Sequence, residues 1–466
     1  MHDQEPVSGQ PERRLSTREA AEFLGVKPET VYAYVSRGQL SSRRTPGGRG
    51  STFDPGELAA LARRTRRESA AGPASGGELS VRTRITLIEK DRYYFRGVDA
   101  TELASHRSYE EIAEWLWTGS PHPGAAFTAP EASVATARRA VNALPAHSGP
   151  TDRLRVAAVA AAAADPLRFD LSEQAVLGTA RVLIPTLVAA LPPAPPEDRT
   201  PPGPGGGGGT ERHRAARTEP HHGDVAQQGR GAGPEPDDGV PAPPDDGDEG
   251  PIARRLWSRL TANRADETGV RVLDTALGLL ADHDLAASTL AVRVAASARA
   301  HAYAAVSAGL GVIEGPLHGA ASGLAHRLLL QVLEQGSAGP VIAEELRAGR
   351  RIPGLGHRLY PGEDPRARVL FGLLEQIPRA EPALAAARDI VATTARHTSL
   401  HANVDLALAV LTAATGMRPT AGETIFAVAR TAGWIAHALE EYGERPLRMR
   451  PSGHYVGPRP PQPMPG

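Results

Sequence analysis

The 466-residue chain contains no cysteine. That absence excludes disulfides, thiolate metal sites, iron–sulfur clusters and any acyl-enzyme formed on a thiol. Aromatic residues are only 4% of the chain. A core must therefore rest on Leu, Val and Ala, a mixture that favours helices over strands. Of 52 basic residues only Lys27 and Lys90 are lysines, which reads as a coding bias before it reads as chemistry. No apolar run reaches the roughly 18 residues of a membrane span. Ala175–Leu191 comes closest, and Arg181 and Pro185 interrupt it. The first residues carry no basic segment followed by an apolar one, so no signal peptide is expected and the protein should be cytoplasmic. Period-two alternation is confined to Ile85–Glu89, and no fixed repeat is visible.

Glycine (49) and proline (42) are abundant instead. The stretch 191–250 holds 13 of each, with one Leu, two Val and no Ile, Phe, Tyr, Trp or Met. Such a composition cannot offset the entropy of ordering, so a disordered insertion is expected there. The run Gly205–Gly209 lacks the Lys-Ser/Thr of a phosphate loop. His221-His222 reads as a solvated pair rather than a metal site. Around the insertion, helical periodicity dominates over Leu171–Leu191, Gly269–Ala281, Ser288–Leu310, Pro340–Ala348, Ala367–Leu374, Pro382–Arg396, Asp405–Thr415 and Thr424–Glu441, with Gly or Pro at most ends.

Charge is uneven although the net charge is −1. Residues 13–67 carry 12 Lys+Arg against 5 acids, a local net of +7. Ser16-Thr17-Arg18-Glu19 has the capping-box form, Gly25-Val26-Lys27 turns the chain, and Pro28 opens a second short helix. Arg43, Arg44 and Arg49 surround Gly47-Gly48 like a basic hairpin. Two short helices and a hairpin follow the helix-turn-helix plan. The pattern Leu15-Ser16-Thr17, Ala20-Ala21, Leu24-Gly25-Val26, Thr30-Val31-Tyr32 and Gly38-Gln39-Leu40 resembles the excisionase-like winged helix-turn-helix family. The resemblance implies DNA contacts from Thr30, Tyr32 and Tyr34 in the major groove and from Arg43, Arg44 and Arg49 on phosphate. A helical hairpin used for protein contacts is the alternative.

Three histidines lie in small-residue surroundings that let a substrate approach closely. His283 stands in His283-Asp284-Leu285-Ala286-Ala287-Ser288-Thr289, His318 in Gly315-Pro316-Leu317-His318-Gly319-Ala320-Ala321, and His357 in Gly354-Leu355-Gly356-His357-Arg358-Leu359-Tyr360. Asn403-Val404-Asp405 and several arginines accompany them. With Phe95-Arg96-Gly97-Val98-Asp99, Ser108–Ala113, Leu116–Gly119, Arg430–His437 and Arg450-Pro451, these segments resemble the citrate synthase family from about Ile85 to Gly457.

That resemblance implies an all-α citrate synthase fold with large and small helical domains, behind the small winged helix-turn-helix domain. The expected division is a tail at 1–12, the helix-turn-helix domain at 13–67, a linker at 68–80, large-domain parts at 81–190, 251–318 and 398–457, the insertion at 191–250, the small domain at 319–397 and a tail at 458–466. It implies Claisen-type condensation of acetyl-CoA with oxaloacetate to citrate and CoA, with Asp405 as base and His318 and His357 as polarising groups. His283, Arg366 and Arg430 would bind oxaloacetate, and Arg450 would do so across a homodimer interface. No cofactor and no metal is implied. Asn403 is a good N-cap, and a helix N-terminus would keep Asp405 ionised. His318 at a helix start would be kept neutral.

Some residues depart from the family pattern: Ser322 replaces an Asn, Leu406 an aromatic residue, and Ser452 an Arg. They leave the choice of acyl-CoA open, with 2-methylcitrate formation from propionyl-CoA as the alternative. A DNA-binding regulator using the same fold as a metabolite sensor is a reading of another class. His437 and Glu440 read as a structural polar pair. His397 and His401 could support Asp405 or be solvated, and Arg347, Arg350 and Arg351 could meet CoA phosphates or form a solvated face.

Overall fold

A computed structural model describes residues 14–24, 26, 31, 32, 34, 35, 40–44, 51–59, 61, 81–195, 250–315, 318, 319, 321–449, 456–458 and 462. Residues 196–249 of the insertion expected at 191–250, the linker, Thr30, Arg49, Arg450 and Ser452 lie outside these residues, as does the side chain of Arg44; the described end at 191–195 is held on the fold, Ala194 N donating to Ser258 O (3.1 Å). The chain divides into two compact units, 1–82 and 83–466.

In the first unit the helix Thr17–Leu24 begins as the capping box predicts: Ser16 N donates to Glu19 Oε2 (2.8 Å) and Glu19 N to Ser16 Oγ (3.4 Å). Three short strands form an antiparallel sheet in the order Leu15–Ser16, Ser51–Phe53, Ser42–Arg44. Ala20, Ala21, Val31, Leu40, Phe53, Leu58 and Leu61 make its core. Residues 31, 32, 34 and 35 are helical. Tyr32 is exposed and its hydroxyl meets Thr17 Oγ1 (3.3 Å), whereas Tyr34 packs, half-buried, on the core. Arg43 is exposed on its strand.

The second unit is helical except for a small sheet at its start. Strands Thr86–Glu89, Arg92–Phe95 and Val98–Asp99 pair antiparallel in sequence order. Asp99 then caps the helix Ala100–His106, accepting from Thr101 N (2.9 Å). The centre is the long helix Ala421–Tyr442, buried along most of its length. Helices Tyr109–Thr118, Glu173–Ala190, Glu267–Leu280, Ala287–Ser297 and Ala302–Ile313 pack around it. A second group, Ala321–Gln335, Ala338–Arg347, Pro365–Leu374 and Glu381–Ala395, assembles with Val404–Ala414. Among the described residues no helix is long and apolar enough to cross a membrane.

The stretch 288–310, read from sequence as one helix, is two. Ala287–Ser297 ends where Arg299 takes a left-handed conformation (φ 62°). His301 then caps Ala302–Ile313, its Nδ1 accepting from Ala304 N (3.1 Å). No Gly or Pro marks this break, so periodicity runs through it.

Candidate active site

Three chain segments meet at the site. The loop 354–357 is stitched to the residues before the helix Val404–Ala414: Gly356 N donates to His401 O (2.8 Å), Asn403 N to Gly354 O (2.9 Å), and Asn403 Nδ2 to Gly356 O (2.9 Å). Gly354 has φ +82°, and a Cβ there would lie 2.9 Å from that of Leu406, so the loop approaches the helix as only glycine allows. Asn403 caps the helix, Oδ1 accepting from Asp405 N (3.0 Å). Asp364 caps the neighbouring helix Pro365–Leu374 and binds Arg366 twice, through Nε (2.9 Å) and Nη2 (2.8 Å). Its Oδ2 also accepts from Val404 N (3.0 Å). One carboxylate thus fixes a buried arginine to the start of the helix that bears Asp405.

The imidazoles gather around the same arginines. His283 and His357 lie edge to face with centroids 5.1 Å apart, and both rings pack on Tyr360. His283 Nε2 is 2.8 Å from the Tyr360 hydroxyl. Leu359 N lies 3.1 Å from His357 Nδ1. A backbone N–H can only donate, so in the neutral ring Nδ1 accepts and the proton sits on Nε2. Burial, reinforced by Arg366, lowers His357 to about 4. Burial and the positive charges of Arg366 and Arg430 hold His283 well below the usual range for histidine.

His318 stands in a turn ahead of the helix Ala321–Gln335, not at its first residue. It is lowered to about 4, and the causes are burial and then Arg430 rather than a helix end. Its Nε2 lies 2.8 Å from Ser288 Oγ, which also takes a long bond from Trp434 Nε1 (3.4 Å). Phe426 packs against its ring at 5.9 Å.

Asp405 departs from the simplest expectation. Its place in the first turn of a helix favours the charged form, yet burial and then the nearby charges set its range, with Arg366 lowering it and Asp364 raising it. Burial wins and pushes it up to about 6.

Arg366 and Arg430 are the charged walls, each almost wholly buried. Arg430 Nε donates to Leu280 O (2.9 Å) and its guanidinium lies over Phe426 at 4.5 Å. Its Nη1 is buried without a hydrogen-bond partner among the described residues, which suits an incoming anion. Burial lowers this guanidinium to about 10, so it stays charged.

A fully buried polar chain lies behind Arg430. Asp282 accepts from Thr86 Oγ1 (2.5 Å) and faces His437 Nε2 (3.3 Å). Burial alone would raise its carboxyl, but His437, Arg430 and Thr86 together hold it below the usual range. His437 Nδ1 lies 2.9 Å from Arg293 Nη1, which also donates to Glu440 (2.6 Å). His437 and Glu440 therefore meet through Arg293. A Cβ on Gly433 would come within 2.4 Å of Asp282 Oδ1, so the glycine is what lets the long helix lie against Asp282.

Of the residues singled out from sequence, His283, His318, His357, Arg366, Asp405 and Arg430 converge. Arg347 and Arg350 pair with Glu344 and Glu345 on an exposed surface, and His397 and His401 are exposed. Ser322 is buried with its hydroxyl unpartnered among the described residues, and Leu406 is buried. Sequence reading missed the roles of Ser288, Tyr360, Asp364, Asp282 and Arg293. For Asp364 a signal existed, because an Asp before Pro-x opens a helix as its N-cap.

The model of the citrate synthase C-terminal domain matches residues 75–452, and a helix-turn-helix domain matches residues 14–66. The chain belongs to the citrate synthase family. Among curated relatives, citrate synthase 2 of Bacillus subtilis is 33% identical over 214 residues, covering 44% of this chain and 56% of its own length. Putative citrate synthase 2 of Mycobacterium tuberculosis is 36% identical over 203 residues, covering 42% and 54%. The chain spans about half the length of the curated relatives it matches. Two solved structures share the fold. Citrate synthase from Pyrobaculum aerophilum has a TM-score of 0.61 at 24% identity, covering 83% of this chain and 92% of that one. The Thermoplasma acidophilum citrate synthase, in a ternary complex with carboxymethyl coenzyme A and oxaloacetate, has a TM-score of 0.58 at 20% identity, covering 85% of this chain and 98% of that one. The citrate synthase fold and the N-terminal helix-turn-helix domain thus stand as read from sequence.

Proposed function

We propose that residues 83–466 condense acetyl-CoA with oxaloacetate to citrate and CoA. The observation that carries this reading is the convergence of two buried guanidiniums, Arg366 and Arg430, with three imidazoles and the carboxylate of Asp405. A dianion fits Arg366 and Arg430, since arginine can grip each carboxylate with two parallel bonds. Arg450, supplied across a homodimer interface, would complete the grip.

The chemistry needs a base and charge stabilisation together, because a thioester methyl is a very weak acid. Asp405, at about 6, is ionised near neutral pH and takes the methyl proton. Ser288 Oγ–H donates a hydrogen bond to His318 Nε2, so the proton of the neutral ring sits on Nδ1 and that N–H binds the thioester oxygen as it gains negative charge. His357 Nε2–H polarises the oxaloacetate ketone. The enolate carbon then bonds to the ketone carbon, whose oxygen becomes a hydroxyl. Water hydrolyses the thioester and releases CoA as a free thiol. No covalent intermediate on the enzyme forms.

The small domain, 319–397, would close on oxaloacetate before acyl-CoA enters, an ordered induced fit. Ser322 and Leu406 are the departures nearest the chemistry, and one methylene is worth only about 1–3 kcal/mol of discrimination. Thiol release with oxaloacetate plus acetyl-CoA or propionyl-CoA tests the reading. Faster release with acetyl-CoA supports citrate formation, faster release with propionyl-CoA replaces it with 2-methylcitrate formation, and none with either contradicts the enzyme.

A second role is favoured by the helix-turn-helix match. Tyr32 and Arg43 are exposed and would be free to meet DNA, and the local excess of arginine would suit phosphate contacts. Binding to promoter DNA should weaken in an Arg43→Ala/Arg44→Ala variant. A gel shift that ignores the change counts against this assignment.

A further inference from the structure

Two adjacent residues, Leu359 and Tyr360, reach the two imidazoles that oxaloacetate would meet. Leu359 gives its backbone N–H to His357 Nδ1 (3.1 Å), which leaves the proton of that ring on Nε2. Tyr360 serves the other ring, its hydroxyl lying 2.8 Å from His283 Nε2. Tyr360 is almost wholly buried. Its ring packs on His357, with centroids 4.8 Å apart, and the Arg366 guanidinium lies over it at 5.5 Å. One tyrosine thus touches three of the six converging side chains.

A neutral imidazole has one N–H and one lone pair. The bond between His283 Nε2 and Tyr360 can therefore run in two directions, with different consequences. If Nε2–H donates to the tyrosine, Nδ1 is left as an acceptor. A carboxylate also only accepts, so such a ring could not hold one. If the tyrosine hydroxyl donates to Nε2, the proton sits on Nδ1, and His283 can donate to a carboxylate. A hydrogen bond between the His283 ring and its own backbone, which favours a protonated ring nitrogen, agrees with the second direction. A substrate carboxylate would compete for that N–H. Tyr93 packs on His283 as well, with centroids 5.9 Å apart, but its hydroxyl is engaged with Leu279 O (3.1 Å).

We propose that Tyr360 is a positioning residue for oxaloacetate: its hydroxyl fixes the His283 tautomer that can bind a carboxylate, while its ring holds His357 in place for the ketone. Neighbouring positions of one loop would then set the tautomers of both imidazoles, Leu359 through its backbone and Tyr360 through its side chain. The inference rests on the proposed reading that this site takes oxaloacetate.

Tyr360→Phe keeps the ring and removes the hydroxyl. It should weaken oxaloacetate binding about tenfold, read by calorimetric titration of the full chain with oxaloacetate alone and as KM in the thiol-release assay. The kcat should stay within about threefold, because the ring still packs on His357 and Leu359 still holds Nδ1. Since the hydroxyl acts through His283, adding Tyr360→Phe to His283→Ala should change affinity by less than about twofold. Wild-type affinity in Tyr360→Phe, a loss of kcat at unchanged KM, or additive losses in the double variant overturns the proposal. Wild-type protein that binds no oxaloacetate overturns the underlying reading and the proposal with it. Oxaloacetate binding without thiol release contradicts condensation alone, and the calorimetric comparison still decides the role of Tyr360.

Discussion

At the residue scale the decisive balance is at Asp405, where burial outweighs the helix end. Its carboxyl is raised to about 6, near the value that suits a general base at neutral pH. His318 and His357, both near 4, remain neutral donors through this range. The pH profile of kcat/KM should therefore show an acid limb near 6 set by loss of the Asp405 charge. A rate flat down to pH 5 would contradict that assignment. The same shift bears on stability. A carboxyl raised on folding destabilises the native state once it ionises, in full above about pH 6 and less as pH falls toward 4. Asp405→Asn should thus raise stability at pH 7.5 by roughly 1–3 kcal/mol, and the gain should shrink at pH 4.5. Denaturant melts at the two pH values check the sign.

At the scale of elements, Asp364 joins two helix starts and one buried arginine. Asp364→Asn leaves Arg366 buried without its counter-charge, which costs about 3–5 kcal/mol and should raise the KM for oxaloacetate. Urea denaturation and steady-state kinetics read the two effects. Asn403→Ala removes both a helix cap and the bond to the His357 loop. It should cost about 1 kcal/mol and lower kcat more than the cap alone explains. What the sequence made legible follows the range of each interaction. His318, His357 and Asp405 sit in short motifs with small or capping neighbours, so local reading finds them. Ser288, Arg293 and Asp282 act through partners more than 25 positions away, and no local period marks them. The helix break at 298–301 escaped for a related reason: it rests on one left-handed Arg and a His cap, without Gly or Pro. The first strand of the small sheet is visible as alternation at Ile85–Glu89, while Tyr93-Tyr94-Phe95 is aromatic on both faces and Val98–Asp99 is too short to show a period.

At the scale of the whole molecule, the two proposed activities fall in separate compact units. Removing residues 1–82 should abolish DNA binding and leave condensation within about twofold, because every converging residue of the site lies beyond Thr83. A truncated protein that folds but has lost condensation would tie the two units together. The large all-α unit was foreseen from the scarcity of aromatics and the abundance of Ala and Leu. Its central helix brings Phe426, Arg430, Trp434 and His437 into the pocket and the polar chain behind it. The most direct test of the account is thiol release from acetyl-CoA with oxaloacetate, compared between the wild type and Asp405→Asn. The account predicts clear turnover in the wild type and a loss of about 10²–10⁴-fold in the variant, with its fold retained. Turnover unchanged by the substitution, or absent from the wild type, would contradict it.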